Sequence, residues 1–330
     1  MTDRPIDVCG IGNAIVDVLS HCDQDFINGM KLNKGTMTLI DAARAEELYA
    51  AMGPAIEASG GSAANTIAGI ASLGGKAAYI GKVGNDQLGG IFRHDIRAAG
   101  VHFETNPAST KTPTARCMIF VTSDAERTMN TYLGACVELT PDDIEEGLVS
   151  SAKVTYLEGY LWDPPLAKQA FLKAASIAHG AEREIALTLS DPFCVERWLK
   201  EFQDLVKAHV DILFANEHEI TTLWQTEDFD EAIAITRRHC SLAAVTRSAK
   251  GSFIVTPQEV IEVAPWPVEQ VVDVTGAGDL YAAGFLYGYT RGRELADCGR
   301  IAALAAGEII GHFGARPETP LNELLLAQVG

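Results

Sequence analysis

Short apolar runs alternate along the chain with stretches in which apolar residues recur every three or four positions. The runs IDVCGIG at 6–12, KAAYIGKVG at 76–84, VTYLEGYL at 154–161 and EIALTLS at 184–190 predict strands. Between them, AANTIAGIASLGG at 63–75, QLGGIFRHDIRAAG at 87–100 and PLAKQAFLKAASIAHG at 165–180 predict helices. A further helix is expected to follow the turn DVTGAGD at 273–279. This alternation predicts an α/β chain built of βα units around a mainly parallel sheet, whose ligands gather at the carboxyl ends of the strands.

Two segments break the rhythm. Roughly 17–41 and 105–136 alternate apolar with polar residues, as in GTMTLID, TARCMIFVTSD and RTMNTYLGA. That pattern suits antiparallel strands in a small appendage, expected here to be a β lid on one domain spanning 1–330.

Composition narrows the function classes. A formal net charge of -18, with no run of Lys and Arg, argues against nucleic acid and anionic membrane as partners. The seven cysteines are scattered and form no CxxC pair, which argues against a disulfide framework or a zinc cluster. The first residues carry no basic segment followed by an apolar one, so a cytoplasmic protein is expected.

The turn Thr275–Gly276–Ala277–Gly278 opens a helix and leaves its backbone open to a ligand. Helix-end amides stabilise an anion, yet Asp279 would repel a resident phosphate. A base reconciles the two: the carboxylate takes the proton of an attacking hydroxyl while the amides of Gly276, Ala277 and Gly278 hold the transferring group. The plain alternative is an ordinary helix start with an early acid. No GxxxxGK[ST] is present, and GIGNAI lacks the third glycine of a dinucleotide fingerprint. GGSAA at Gly60 makes Ser62 a poor nucleophile candidate, and HEITT at His218 lacks the second histidine of a zinc helix.

DVTGAGDLYAAGF at 273–285 and SGGSAANTIAGIASLGGKAAYIGKVGNDQLG at 59–89 resemble the two signatures of the ribokinase-like (PfkB) carbohydrate kinases, in that family's order. GNAIVD at 12–17 and ANEHE at 215–219 fall where the family places its substrate strand and its NxxE motif. Within the family, PTARCMIFVTSDAERTMNTYLGA, LTLSDPF and VDILFANEHE look most like adenosine kinases. The resemblance implies a three-layer αβα core with a β lid, and transfer of the γ-phosphate of ATP to the 5′-hydroxyl of adenosine, with Mg²⁺ as cofactor. A sugar kinase of the same fold and a non-catalytic nucleoside sensor are the alternatives.

By motif position the resemblance makes Asp279 the base and Arg127 a lid cation that closes over the phosphates. It places Asn13, Asp17, Gly61 and Asn65 on the ribose, and Leu39, Met129, Leu133, Tyr160 and Leu161 around the base. Asn216, Glu219, Thr246 and Gly251 would serve the nucleotide, with Glu219 reaching Mg²⁺ through water. Ser248 stands where the family's nucleotide turn usually has its first glycine. Asp273 and Thr275 would take a monovalent cation, K⁺. The protein is expected as a monomer or homodimer.

Overall fold

The computed structural model describes residues 5–124 and 126–329. Ala125, inside the expected lid, and Met1–Arg4, where an export leader would begin, lie outside them. Among the described residues thirteen strands run in chain order: β1 Ile6–Ile11, β2 Ile15–His21, β3 Met37–Leu39, β4 Ile56–Gly60, β5 Ala77–Ile80, β6 Ala115–Val121, β7 Arg127–Tyr132, β8 Ala152–Glu158, β9 Glu184–Thr188, β10 Ile212–Asn216, β11 Leu242–Thr246, β12 Ser252–Val255 and β13 Val260–Val263. They form two sheets, one of eight strands in the order β13-β12-β11-β10-β9-β8-β1-β5 and one of five in the order β3-β7-β6-β2-β4.

In the large sheet β5, β1, β8, β9, β10 and β11 are parallel, and β12 and β13 turn back antiparallel at one edge. Alternation along each strand divides the core in two. On one face Val8, Val154, Phe214 and Ile254 pack with Ile67, Leu280, Phe285 and Ile301 from the helices Ser62–Ser72, Ala277–Tyr289 and Leu295–Ile309. On the other, Ile11, Leu157, Leu187 and Val245 pack with Phe171, Phe202 and Leu223 from the helices Pro165–Gly180, Leu199–His209 and Glu217–Trp224. The result is a ribokinase-like layer of sheet between two layers of helix.

The helices form where periodicity placed them. Pro165 opens Pro165–Gly180 at a position where a missing N–H costs nothing. Ala and Gly at 63–64 and 68–69 keep Ser62–Ser72 thin. A Cβ on Gly69 would come within 2.6 Å of Leu280, so these two helices touch through a glycine.

The small sheet departs from the antiparallel expectation. β6 and β7 form a hairpin and β2 pairs antiparallel with β4, but β2–β6 and β3–β7 are parallel. These partners lie roughly ninety or more residues apart in the chain, beyond the reach of a tight turn. β4 lies outside the segments expected to build the appendage. One face, with Val16, Val18, Met118 and Phe120, is covered by the helices Gln24–Gly29 and Ala42–Ala51, whose Ile27, Ala45 and Leu48 join the main core. The other face carries Ile15, Asp17 and Leu19 beside Cys117, Ile119 and Val121, and beside Arg127 and Met129.

Two short crossings join the sheets. Gly12–Ala14 takes the chain from the carboxyl end of β1 into β2, and Gly61 takes it from β4 into the helix Ser62–Ser72. Both crossings lie at the carboxyl-end rim, so Asp17 and Asn65 come from opposite sides of one junction.

Candidate active site

The helix Ala277–Tyr289 begins at Gly276, whose φ of 78° is a left-handed conformation that glycine tolerates without strain. A Cβ there would also meet Ala315 at 3.1 Å. The N–H groups of Gly276 and Gly278 have no protein acceptor among the described residues. Ala277 is different: its N–H donates to the Val274 carbonyl at 3.2 Å, so it closes the turn and leaves the N–H groups of Gly276 and Gly278 as the unengaged ones.

Asp279 lies one residue further into the helix, part-buried. Ser62 Oγ donates to its Oδ1 at 2.6 Å and Asn65 Nδ2 donates to its Oδ2 at 3.0 Å. Ser62, a poor nucleophile on its sequence context, is a hydrogen-bond donor here. Burial pushes the Asp279 carboxyl up to about 6, while Ser62, Asn65 and the charge of Arg316 pull it back. Asp17 is held at about 6 by the same burial, with Arg316 and Arg127 lowering it and Asp279 raising it.

Asn13, expected on the ribose, stands in the first crossing between the sheets. It is buried, and its Nδ2 donates to Glu158 Oε1 at 2.7 Å while its backbone N–H reaches Oε2. Ala63 N–H, in the first turn of Ser62–Ser72, donates to the same carboxylate at 2.9 Å. Glu158 thus ties the first crossing to the second. Burial lifts its carboxyl to about 7, against the lowering effect of these donors. The sequence signal was there: a lone acid at the end of a buried strand needs partners. Gly61 supplies a close approach, because at φ 96° a Cβ would sit 2.2 Å from the Asn13 carbonyl oxygen.

Arg127 projects from β7 to the opening turn of the helix. Its guanidinium pairs with Asp273 at 2.7 Å and donates to Thr275 Oγ1 at 3.0 Å. Asp273 also accepts from the N–H and Oγ1 of Thr275 and from the N–H of Gly314. The carboxylate expected to face K⁺ is therefore occupied by a side-chain cation and three neutral donors.

The residues expected around a base separate. Met129 and Leu39 share the face of the small sheet that carries Asp17, with Leu39 46% exposed at its edge. Leu133 is half-buried after β7. Tyr160 is half-buried beyond β8, where burial and then the carboxylates of Asp191, Glu219, Asp279 and Glu158 raise its phenol. Leu161 is no lining residue: it is 1% exposed, inside the core with Trp162 and Phe171, because the turn after β8 folds under Pro165–Gly180.

Asn216 and Glu219 form a capping box. Asn216 accepts from Glu219 N–H at 2.8 Å, and Glu219 accepts from the Asn216 N–H at 3.0 Å and from its Nδ2 at 2.6 Å. Burial raises the Glu219 carboxyl to about 7. Each of its oxygens accepts one hydrogen bond at the helix end, which leaves further lone pairs on the carboxylate. Thr246 sits beside Asn216 on the neighbouring strand. Ser248 has φ 51°, the left-handed conformation that explains a glycine preference at this position, and Gly251 has φ 85° with Val263 O where a Cβ would go. A cleft of about 480 Å³ is lined by Trp266, Val268, Leu304, Gly307 and Val272, the residue that precedes Asp273 in the chain. None of these was singled out from sequence, since they come from a loop and a distant helix.

The chain matches the family described as pfkB family carbohydrate kinase over residues 38–322. It is similar to the structure of adenosine kinase from Sinorhizobium meliloti, at 58% identity over 99% of this chain and 100% of that one, with a TM-score of 0.92. It is equally similar to a probable sugar kinase protein from Rhizobium etli CFN 42, at 56% identity over 99% of each chain and a TM-score of 0.93. Adenosine kinase 1 of Arabidopsis thaliana is 28% identical over 94% of this chain and 96% of its own.

Proposed function

The chain belongs to the pfkB family of carbohydrate kinases, phosphotransferases with an alcohol acceptor, and from that premise we propose that it phosphorylates the 5′-hydroxyl of adenosine with ATP. The observation that carries this reading is the Asp279 carboxylate, held by Ser62 and Asn65 beside the free N–H groups of Gly276 and Gly278.

Asp279 accepts the 5′-hydroxyl proton as the alcohol oxygen bonds to the γ-phosphorus of ATP. The bond from that phosphorus to the β,γ-bridging oxygen breaks, and ADP leaves with the bonding pair. The amides of Gly276 and Gly278 and the positive helix end stabilise the charge on the transferring group. Asp17, on the small sheet, accepts from ribose hydroxyls. Met129 and Leu39 on the same face offer the flat apolar contact that a nucleobase needs and a sugar does not. That contact is the reason for preferring a nucleoside over ribose or fructose.

The cleft lined by Trp266 suits the adenine of ATP, because the chain leads from it directly into Asp273 and the anion-binding turn. Among the described residues no three His, Cys, Asp or Glu side chains cluster to hold a metal. Glu219 would hold Mg²⁺ through water, together with the ATP phosphates, and the ion would supply charge neutralisation. The small sheet acts as a lid that excludes water from the transfer. No helix among the described residues is long and apolar enough to cross a membrane.

The test is ADP formation from Mg-ATP with adenosine, ribose and fructose offered separately. Turnover with adenosine supports the reading. Turnover with a sugar but not adenosine replaces it with a sugar kinase, and calorimetric binding of adenosine without ADP makes the protein a sensor.

A further inference from the structure

At the other end of the Asn65 amide from Asp279 lies Arg316. Its Nε donates to Asn65 Oδ1 at 2.8 Å, and its Nη2 donates to Ser59 Oγ at 3.2 Å. An amide has one accepting end and one donating end, while a guanidinium only donates. With Oδ1 turned to Arg316, Nδ2 has to face Asp279. A flipped amide would set two donors together and bring its oxygen against a carboxylate, two repulsions at once.

The second contact reaches the small sheet. Ser59 is a β4 residue paired with Val16 of β2, one position from Asp17, and its N–H donates to Asp95 at 3.1 Å. One guanidinium therefore spans the strand beside Asp17 and the amide that holds Asp279. We infer that Arg316 is a positioning residue for phosphoryl transfer, locking the Asn65 amide onto Asp279 and tying that contact to the small sheet. This rests on the reading of Asp279 as the base.

The electrostatics agree with the geometry. Asp279 is faced by Asp17 from β2, Tyr156 and Glu158 from β8, Tyr160 beyond it, and Arg316, with Arg127 acting on Asp17 from β7. Arg316 is the cation that lowers the carboxyls of both Asp17 and Asp279. Removing its charge raises the pH at which the base becomes available.

The experiment measures kcat and KM against pH with Mg-ATP and the accepted nucleoside for the wild type, Arg316→Met, Arg316→Lys, Asn65→Ala, the Arg316→Met/Asn65→Ala double variant and Asp279→Asn. Arg316→Met is expected to lose about tenfold to a hundredfold in kcat with its acid limb moved to higher pH. Arg316→Lys keeps the charge but not the two-armed reach, so its limb stays near that of the wild type while kcat falls. It serves if the Met variant fails to fold. The double variant should lose much less than the product of the two single losses. An Arg316→Met enzyme with wild-type kcat and limb, beside an inactive Asp279→Asn, overturns the role of Arg316 and leaves the base intact. An active Asp279→Asn removes the base and this inference with it, and fully multiplicative losses deny the link through Asn65.

Discussion

Arg127 and Asp273 form an ion pair of 2.7 Å that joins the small sheet to the turn opening the helix Ala277–Tyr289, with both side chains under a tenth exposed. Because Asp273 is hydrogen-bonded to Thr275 and Gly314, the pair holds the strand over the amides of Gly276 and Gly278. Arg127→Ala should cost about 3 kcal/mol of stability, since a buried carboxylate loses its counterion. The same variant should lower kcat/KM for ATP about a hundredfold. Thermal denaturation and steady-state kinetics together read both effects, and a variant unchanged in each would deny the contact any role.

Asp279→Asn preserves shape and the contact with Ser62 while removing the proton acceptor. Its kcat should fall about a thousandfold with KM for the nucleoside within about threefold. ADP release in a coupled assay measures it. Retention of most of the turnover would show that the proton goes elsewhere.

The pH dependence follows from the Asp279 carboxyl lying near 6, above its ordinary value. A base works only when deprotonated, so kcat should fall tenfold per unit as pH drops below about 6 and level off above it. A profile flat from pH 5 to 8 would contradict this assignment.

Glu158 offers a test in stability. Its carboxyl is raised from 4.5 to about 7, so the stability it contributes is present below 4.5 and is lost as pH rises through 7. Glu158→Gln has no such titration. Relative to the wild type, the variant should gain on the order of 3 kcal/mol between pH 4.5 and pH 7.5. Denaturant midpoints at several pH values measure the gap, and a gap that stays constant or narrows with rising pH would refute it.

Gly61→Ala places a methyl 2.2 Å from the Asn13 carbonyl oxygen at a φ of 96°. The loss should be at least about 2 kcal/mol, with turnover falling as Asn65 shifts. A Tm within a degree of the wild type would show that the crossing relaxes freely.

Much of the candidate site's placement was legible locally. Asp279, the glycines before it and Asn65 stand within a few residues of a helix start, and such positions are set by short-range backbone geometry. The NEHE stretch carries the signature of a capping box in its own spacing, and Asn216 and Glu219 form that box. Arg316 left no trace, because one arginine in a loop has no periodicity and its partners lie about 250 residues away. Leu161 misled for the converse reason, since an apolar residue beside a site and one beneath it read alike until a helix is packed over it.

The order of apolar and polar positions by itself determined the layered α/β core, its long helices and the acid beside a glycine turn, because repeat period and turn preference act over a few residues. Tertiary structure alone decided which strands of the small sheet run parallel and that Glu158 ties the two crossings. It also turned Arg127 onto Asp273 and Arg316 onto Asn65. Those are choices of partner between groups far apart in the chain, and charge and hydrogen bonding select a partner only after packing has brought the candidates within reach.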